Sequence, residues 1–257
     1  MRILKKIWWM PLIVYMIIMP SFMSGRVYNE ICGELSIAVT DSSRYRFITA
    51  AGILSMIQDK DIKFLGQALH TIDLDGIEAM LSERREFECV EVYTTVDGVL
   101  HIDADQRDPL MRVITSYGNN YYIDKYGYVI PHSQTYTPRM IVVSGNIEVP
   151  DSCILGSSIL DYDDDLLIRR TFKLLAYINE DKFWQELIQQ VWINEKEEIE
   201  LVPRLGDHIV KFGEAGNIEW KFNLLRTFYE ETMPVKGWDK YDEIDMRFDG
   251  QLVCRKR

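Results

Sequence analysis

Histidine and cysteine, the side chains that most often bind metals or act as nucleophiles, are few and widely spaced in this chain. Four of each occur among 257 residues. They are His70, His101, His132, His208, Cys32, Cys89, Cys153 and Cys254. No two histidines have the spacing of an H-E-x-x-H or H-x-x-E-H motif, and no cysteines form a C-x-x-C pair. The pattern therefore predicts neither a metal site nor a cofactor.

Three other short patterns could belong to a catalytic site, and each has a simpler structural explanation. Ser157 and Ser158 follow a glycine, but the G-x-S-x-G pattern of a nucleophile elbow is missing. Asp103 and Asp105 would share one face of a strand, as paired catalytic acids can, yet the end of a solvated hairpin accounts for them. Residues 213–216 (GEAG) lack the lysine of a phosphate loop. We therefore predict a protein that is not an enzyme and has no small-molecule substrate.

The cysteines leave two interpretations open. In an oxidising compartment an even number of cysteines permits disulfides, and four cysteines allow three connectivities. Cysteine is also a small apolar residue that packs well inside strands. Cys89 alternates with Val90 and Val92 in a strand-like run, which favours the second interpretation.

An uncharged apolar run near the N-terminus determines where the rest of the chain should lie. Residues 7–23 (IWWMPLIVYMIIMPSFM) follow Arg2, Lys5 and Lys6. A spanning helix needs roughly 17–25 mostly apolar residues, and basic residues stay on the cytoplasmic side. The run predicts a single transmembrane helix, with the N-terminus in the cytoplasm and everything from Ser24 onward exported. A cleaved signal peptide is the alternative, although this run is long for one and lacks a good A-x-A cleavage site.

The part of the chain after the apolar run is globular in composition and strongly acidic. It holds 26 lysines and arginines against 40 aspartates and glutamates, a net charge of −14. Its length is sufficient for two domains of ordinary size. Such a surface repels polyanions, so a role in binding nucleic acid is disfavoured.

The first exported stretch predicts a small α+β unit. A strand at residues 34–40 precedes two helices at residues 47–57 and 74–84, the second capped by Asp73. Two strands follow on either side of Asp97-Gly98, a dipeptide typical of a tight hairpin turn. The order strand, helix, helix, strand, strand favours helices on one face of a three-stranded sheet.

The remainder predicts a β-rich domain with flanking helices. Its predicted strands are residues 110–116, 121–124, 128–130, 140–144, 198–202 and 208–212. One helical segment begins after Asp165, a second covers residues 183–191, and a third begins near Ile218. The chain finishes with a second Asp-Gly hairpin, between residues 243–248 and 251–255. A last strand is often the edge of its sheet, where free backbone groups can accept a strand from another protein. The alternative is that residues 255–257 (RKR) act as charges that keep this edge unpaired.

Three motifs in the second domain resemble those of the FtsQ/DivIB cell-division family, in the form found in Bacteroidetes-like bacteria. Residues 122–129 (YIDKYGYV) resemble its "(V/I)D..G.v" turn. Residues 200–213 (ELVPRLGDHIVKFG) resemble its "EL..RlG.h.i.fG" stretch, and residues 241–248 (YDEIDMRF) its terminal "y..vDlRy" strand. The similarity covers nearly the whole chain, because the family also has a basic tail, one span and a POTRA-like unit.

The resemblance implies an α+β protein with three parts. These would be a short cytoplasmic tail and transmembrane helix at residues 1–24, a POTRA-like domain at residues 25–107, and an FtsQ-type β domain at residues 108–257. Family members are non-enzymatic scaffolds of the divisome at the septum, embedded in the inner membrane with most of the chain in the periplasm.

The resemblance also implies partners and the residues that would bind them. FtsB-like and FtsL-like proteins would dock on the β domain, with a strand of the FtsB-like partner added beside the last strand, and further divisome components would bind the POTRA-like unit. The implied partner-binding residues are Arg247, Phe248, Gln251, Leu252, Val253 and Cys254. Two other functions stay open: a POTRA-containing periplasmic scaffold for export or outer-membrane assembly, and an envelope enzyme with an unrecognised site.

Overall fold

The computed structural model describes residues 30–40, 46–133, 136–248 and 250–257, together with Leu12 and residues 14–16. The predicted span at residues 7–23 lies outside the described residues, apart from those last few positions. Within the described ranges, no helix is both long enough and apolar enough to cross a membrane. The chain divides into two compact units, Met1–Gln106 and Arg107–Arg257.

The N-terminal unit has the predicted order of strand, helix, helix, strand and strand. Its elements are β1 (Glu34–Thr40), α1 (Ala50–Asp59), a 3-10 turn (Leu69–Thr71), α2 (Leu74–Ser82), β2 (Phe87–Thr94) and β3 (Val99–Gln106). β3 is central, parallel to β1 and antiparallel to β2. The predicted cap is confirmed, since Asp73 Oδ1 accepts the Gly76 N–H at 2.9 Å.

The helices of this unit bury one face against the sheet. Ile53 and Ile57 of α1 and Ile77 and Leu81 of α2 are all buried. They form the core together with alternate residues of β3, namely Leu100, Ile102 and Ala104. This spacing of three or four along the helices and two along the strand is the pattern expected of a two-layer α+β unit.

The hairpin between β2 and β3 has a longer turn than the sequence predicts. β2 ends at Thr94, and the Gly98 N–H donates back to the Thr95 carbonyl at 3.1 Å. Gly98 has a φ of 84°, whereas Asp97 does not take a positive φ. The connection is therefore a four-residue turn in which only the glycine needs left-handed backbone geometry.

The C-terminal unit is β-rich with flanking helices. Its strands are β4 (Pro109–Thr115), β5 (Asn120–Asp124), β6 (Val129–Pro131), β7 (Val142–Gly145), β8 (Ile188–Ile193), β9 (Ile199–Pro203), β10 (Ile209–Gly213), β11 (Tyr241–Asp245) and β12 (Val253–Lys256). Its helices are α3 (Asp151–Leu155), α4 (Leu167–Glu180), α5 (Lys182–Leu187), α6 (Ile218–Thr227) and α7 (Met233–Lys236), with a 3-10 turn at Ile159–Asp161 and a π-helical turn at Phe228–Thr232.

These nine strands form one sheet in the order β12-β11-β10-β9-β8-β7-β4-β5-β6. One face is buried, with Val113, Val143, Val191 and Leu201 completely enclosed. The helices supply the other side of this core through Phe172, Leu174, Leu175, Phe222 and Leu225. The sheet therefore has a covered face, a partly exposed face and two edge strands, β6 and β12.

One sequence prediction in this unit is wrong, and a second is right except for the length of its strands. Residues 183–191 were predicted to be helical throughout, but α5 ends at Leu187 and β8 begins at Ile188, because Val191 and Ile193 alternate with outward-facing residues. The terminal hairpin is present, since β11 and β12 pair antiparallel, the Gln251 N–H donates to the Phe248 carbonyl at 3.4 Å, and Gly250 has a φ of 75°. Its strands are shorter than predicted, because regular pairing stops at Asp245 opposite Val253.

Candidate partner-binding edge

β12 is the outermost strand on one side of the nine-stranded sheet. It pairs antiparallel with β11 alone, with Val253 opposite Asp245 and Cys254 opposite Ile244. An edge strand of this kind presents unpaired backbone groups on its outer side. The structure therefore confirms the prediction that the last strand lies at the edge of its sheet.

One hydrogen bond establishes which backbone groups of β12 face outward. The Arg257 N–H donates inward to the Lys240 carbonyl at 3.2 Å. Successive residues of a strand direct their backbone groups to opposite sides, so those of Arg255 and Val253 also face inward. The outward groups belong to Lys256 and Cys254, which leaves two donors and two acceptors for an added strand.

The side chains beside this edge divide into exposed and anchored ones. Phe248 is 48% exposed and Val253 is 45% exposed, and Gln251 is also exposed. Leu252 and Cys254 are half-buried and pack against the hydrophobic core of the unit. Burial raises the pKa of the Cys254 thiol, so this cysteine behaves as a packing residue. Of these five side chains, three can contact a partner, and those of Leu252 and Cys254 hold the strand in place.

Arg247 is engaged within the protein. Its guanidinium donates to Asp245 through Nε at 3.0 Å and Nη2 at 2.6 Å, and Nη1 lies 3.2 Å from a carboxylate oxygen of Glu198. These bonds from Arg247 hold the pKa of Asp245 below its usual range. Hydrogen bonds from Asn194 and Arg247 lower the pKa of Glu198. Arg247 therefore ties β11 to the β8–β9 turn behind the edge strand.

Gly213 at the end of β10 makes room for this arginine. Its φ is 75°, and a Cβ added there would lie 2.7 Å from Cγ of Arg247. A larger residue at position 213 would displace the arginine stem from its position over the strand. The glycine of the KFG sequence, which is part of the motif that resembles the family, is therefore explained by its packing against Arg247.

The basic residues at the end of the chain hold β12 against the protein. Arg255 Nε lies 3.0 Å from Asp242 and its Nη1 lies 3.1 Å from Glu243. Arg257 Nη2 lies 3.0 Å from an oxygen of Asp207. Sequence reasoning treated residues 255–257 only as charges that keep the edge unpaired. The acidic pair in β11, opposite the basic end of β12, was the signal that could have revealed their pairing.

The residues considered for catalysis do not converge on one site. Asp103 accepts a hydrogen bond from Tyr93, and His208 is buried with Nε2 2.8 Å from the Tyr229 hydroxyl. All four cysteines are free. Among the described residues, no group of three or more His, Cys, Asp or Glu side chains could hold a metal ion.

A groove of about 820 Å³ lies at the carboxyl ends of three parallel strands, β4, β7 and β8. Trp192 forms part of its wall, and Glu195 is the only ionisable residue lining it within the described ranges. Two of its polar side chains are engaged within the protein: Ser144 accepts from Gln190 at 2.8 Å, and the Asn194 amide donates to Glu198 at 3.1 Å. The groove therefore provides a concave surface with one aromatic side chain, and not a cluster of reactive groups.

Comparison with known proteins identifies the family. Residues 108–255 match the model described as FtsQ/DivIB, C-terminal related, and this match covers more than half of the chain. The chain belongs to the FtsQ/DivIB family. Residues 30–105 match the model of a POTRA-like domain, which agrees with the strand order of the N-terminal unit.

A curated relative supports the same assignment. Over 173 residues the chain is 25% identical to the cell division protein FtsQ of Salinibacter ruber. The match covers 63% of this chain and 61% of the relative, so the chain spans less than two thirds of that protein's length. The FtsQ/DivIB resemblance and the α+β class with a POTRA-like domain, both predicted from the sequence, are confirmed.

Proposed function

We propose that this FtsQ/DivIB family member is a non-enzymatic, membrane-anchored scaffold of bacterial cell division. The span at residues 7–23 holds it in the inner membrane, and the two units lie in the periplasm at the division septum. The β12 edge receives a strand from an FtsB-like partner, which brings an FtsL-like protein and other divisome components with it. The observation that carries this proposal is the unpaired outer side of β12 in the unit that matches the family.

The chemistry of the edge suits strand addition. A backbone hydrogen bond contributes only about 1 kcal/mol net, so affinity depends on several such bonds and one or two anchoring side chains. Lys256 and Cys254 supply the outward backbone groups, and Phe248 and Val253 supply exposed apolar surface beside them. Arg247 positions this edge through Asp245 and Glu198. Main-chain bonds thus give affinity, and the neighbouring side chains give selectivity.

The first test removes the anchoring side chain. Phe248→Ala should weaken binding of an FtsB-like peptide by about tenfold or more, because aromatic anchors dominate such interfaces. Stability should stay unchanged, since the ring is half exposed. Affinity is measured by titration calorimetry and stability by denaturation. Tyr117→Ala, at an exposed aromatic in the β4–β5 turn, is the matched control. Unchanged affinity in Phe248→Ala would remove Phe248 from the site.

The second test removes an outward backbone donor. Lys256→Pro deletes an N–H that faces away from β11, so the sheet keeps its own bonds. The peptide should bind about fivefold more weakly, in line with the loss of one net hydrogen bond. Lys256→Ala removes the charge and keeps the N–H, and it should bind nearly as well as the wild type. Equal affinities of the proline and alanine variants would contradict strand addition.

A further inference from the structure

Three exposed aliphatic side chains lie at one end of the POTRA-like unit. Ile31, Leu65 and Val96 are 58%, 62% and 68% exposed. We name these three residues the proximal patch. Single exposed aliphatic residues are ordinary. Three of them on neighbouring segments at the same end of a unit form an apolar surface whose exposure to water is unfavourable.

Backbone hydrogen bonds bring the three segments together. The Gly66 N–H, next to Leu65, donates to the Cys32 carbonyl at 2.8 Å. The Gly33 N–H donates to the carbonyl of Gly98 at 2.9 Å, which ties the β2–β3 turn to the same segment. The turn packs so closely that a Cβ on Gly98 would lie 2.7 Å from the carbonyl oxygen of the residue before Cys32. Backbone hydrogen bonds therefore hold the three segments that carry the patch next to one another.

The direction of the strands places this patch at the end where the chain enters the unit. β1 and β3 are parallel, with Glu34 opposite Val99 at their first residues and Thr40 opposite Asp105 near their last. The patch lies beside the amino ends of both strands. The chain leaves the unit from the carboxyl end of β3, about 20 Å away at roughly 3.3 Å per residue.

The apolar run before the unit is close in sequence. It ends at Met23, and six residues separate it from residue 30. Six residues span at most about 25 Å from the last apolar residue to residue 30 when fully extended. An anchor in the membrane therefore keeps the entry end of the unit, and the proximal patch with it, close to the bilayer surface.

We propose that the proximal patch inserts into the interfacial region of the lipid bilayer. This inference rests on the membrane anchor of the proposed function. The contact fixes which end of the POTRA-like unit faces the membrane and leaves its sheet edges and helices accessible. Aliphatic side chains at the boundary of headgroups and acyl chains are stabilised by the burial of apolar area.

Charge around the patch indicates that the contact is apolar. The charged residues within six positions of these side chains in sequence are Arg26, Glu30, Glu34, Asp59, Lys60, Asp61, Lys63, Glu91 and Asp97. They carry a net charge of −3, so anionic headgroups are not attracted. The contact should therefore form on zwitterionic lipid and should not weaken when salt is added.

The test uses the full-length protein reconstituted in phosphatidylcholine vesicles with a photoactivatable diazirine on the acyl chain. Lipid adducts are located by peptide mass spectrometry. We expect labelling of residues 7–23 and labelling at Leu65 and Val96 roughly tenfold above that at Cys89, as burial of these side chains in the bilayer requires. Cys89 is the internal control, because it is exposed in the same unit and equally tethered, but lies opposite Asp105 at the other end of the sheet.

Two variants sharpen this test. The double variant Leu65→Asp/Val96→Asp should lose the adducts at both sites and keep those at residues 7–23, whereas Val235→Asp, at an exposed residue of the other unit, should change nothing. Labelling should be equal at about 0.05 M and 0.5 M salt.

The outcomes separate the two proposals. Labelling of residues 7–23 with Leu65 and Val96 at the level of Cys89 overturns the proximal patch and leaves the anchor standing. A loss of patch labelling in high salt also overturns the apolar contact. No labelling of residues 7–23 removes the anchor, and with it the membrane part of the proposed function.

Discussion

The two edge strands of the nine-stranded sheet differ in how accessible their outer backbone groups are to another strand. β6 is three residues long and ends in Pro131, which has no N–H to offer. The segment from α3 to the following 3-10 turn packs against the turn that leads into it: Ser158 Oγ donates to the Tyr126 carbonyl at 2.7 Å, and the Ile159 N–H donates to the Gly127 carbonyl at 2.9 Å. β12 has no such cover among the described residues, and its outward groups stay accessible.

This difference matters because an open edge is normally a liability. Natural sheets shorten, cover or charge their edges to avoid unwanted pairing. Here the segment before the 3-10 turn packs so closely on the β5–β6 turn that a Cβ on Gly127 would lie 2.6 Å from Ser158 Oγ. The sheet thus has one edge that is short, ends in proline and is packed at its start, and another that is left open with ion pairs behind it. The contrast supports a functional role for β12.

The largest expected effect on stability comes from the ion pairs behind the open edge. Arg247→Ala leaves the buried Asp245 carboxylate without its main partner, so the free energy of unfolding of the C-terminal unit should fall by about 1–3 kcal/mol at pH 7. Urea denaturation of this variant and of Arg247→Lys, which keeps the charge but not the two-pronged contact, measures the loss. A variant as stable as the wild type would show that the edge does not depend on this network.

The same network predicts a dependence on pH. Arg247 lowers the pKa of Asp245 in the folded state. A lowered pKa gives stability that is present above the unfolded value of about 3.9 and is lost as the pH falls through the folded value. The difference in unfolding free energy between wild type and Arg247→Ala should therefore shrink below about pH 4. A difference that grows on acidification would contradict the assignment.

His208 gives a second, smaller pH effect on the open-edge side. Burial, followed by the charge of Arg257, lowers the pKa of this histidine in the folded protein. Below about pH 6.5 the unfolded chain binds a proton that the folded one does not, so stability should fall by up to about 1.4 kcal/mol per pH unit. His208→Gln, which can still bond Tyr229, should remove most of this slope. Denaturation at a series of pH values between 5 and 7.5 measures it, and an unchanged slope would show that other groups cause it.

The covered edge provides the matching test. Ser158→Ala removes the hydroxyl that accepts the Leu160 N–H at 3.1 Å and donates to the Tyr126 carbonyl. The loss should be about 1 kcal/mol, as for other capping serines. Hydrogen exchange should rise at β6, while binding of an FtsB-like peptide to β12 should be unaffected. A variant that gains a second peptide site would show that the cover alone keeps β6 from pairing.

Much of the fold could be predicted from local patterns. Asp73 before an apolar period of three or four predicts α2, and alternation around Asp97-Gly98 predicts the first hairpin. The same Asp-Gly signal predicts the last hairpin, in which the Gln251 N–H donates to the Phe248 carbonyl. The length of its strands could not be predicted in this way, because pairing stops at Asp245 and Val253 although the apolar pattern continues beyond them.

The candidate site could be predicted only in part, because its geometry depends on distant pairings. Sequence reasoning placed the last strand at an edge, and that placement depends only on its being last. The ion pair of Arg247 with Glu198 joins residues 49 positions apart, and the contact between Arg257 and Asp207 joins residues 50 apart. Contacts at such separation leave no periodic signal in a single sequence. Partner binding by Arg247, Phe248 and residues 251–254 stays a prediction.

The central claim is that β12 is open for a partner and β6 is closed. The most direct measurement is photo-crosslinking in dividing cells, with the reactive amino acid at Lys256 in β12 and, in a parallel strain, at the exposed Pro131 of β6. The account predicts an adduct with a small FtsB-like protein from Lys256 and no such adduct from Pro131. The same partner captured from both positions, or from neither, would contradict it.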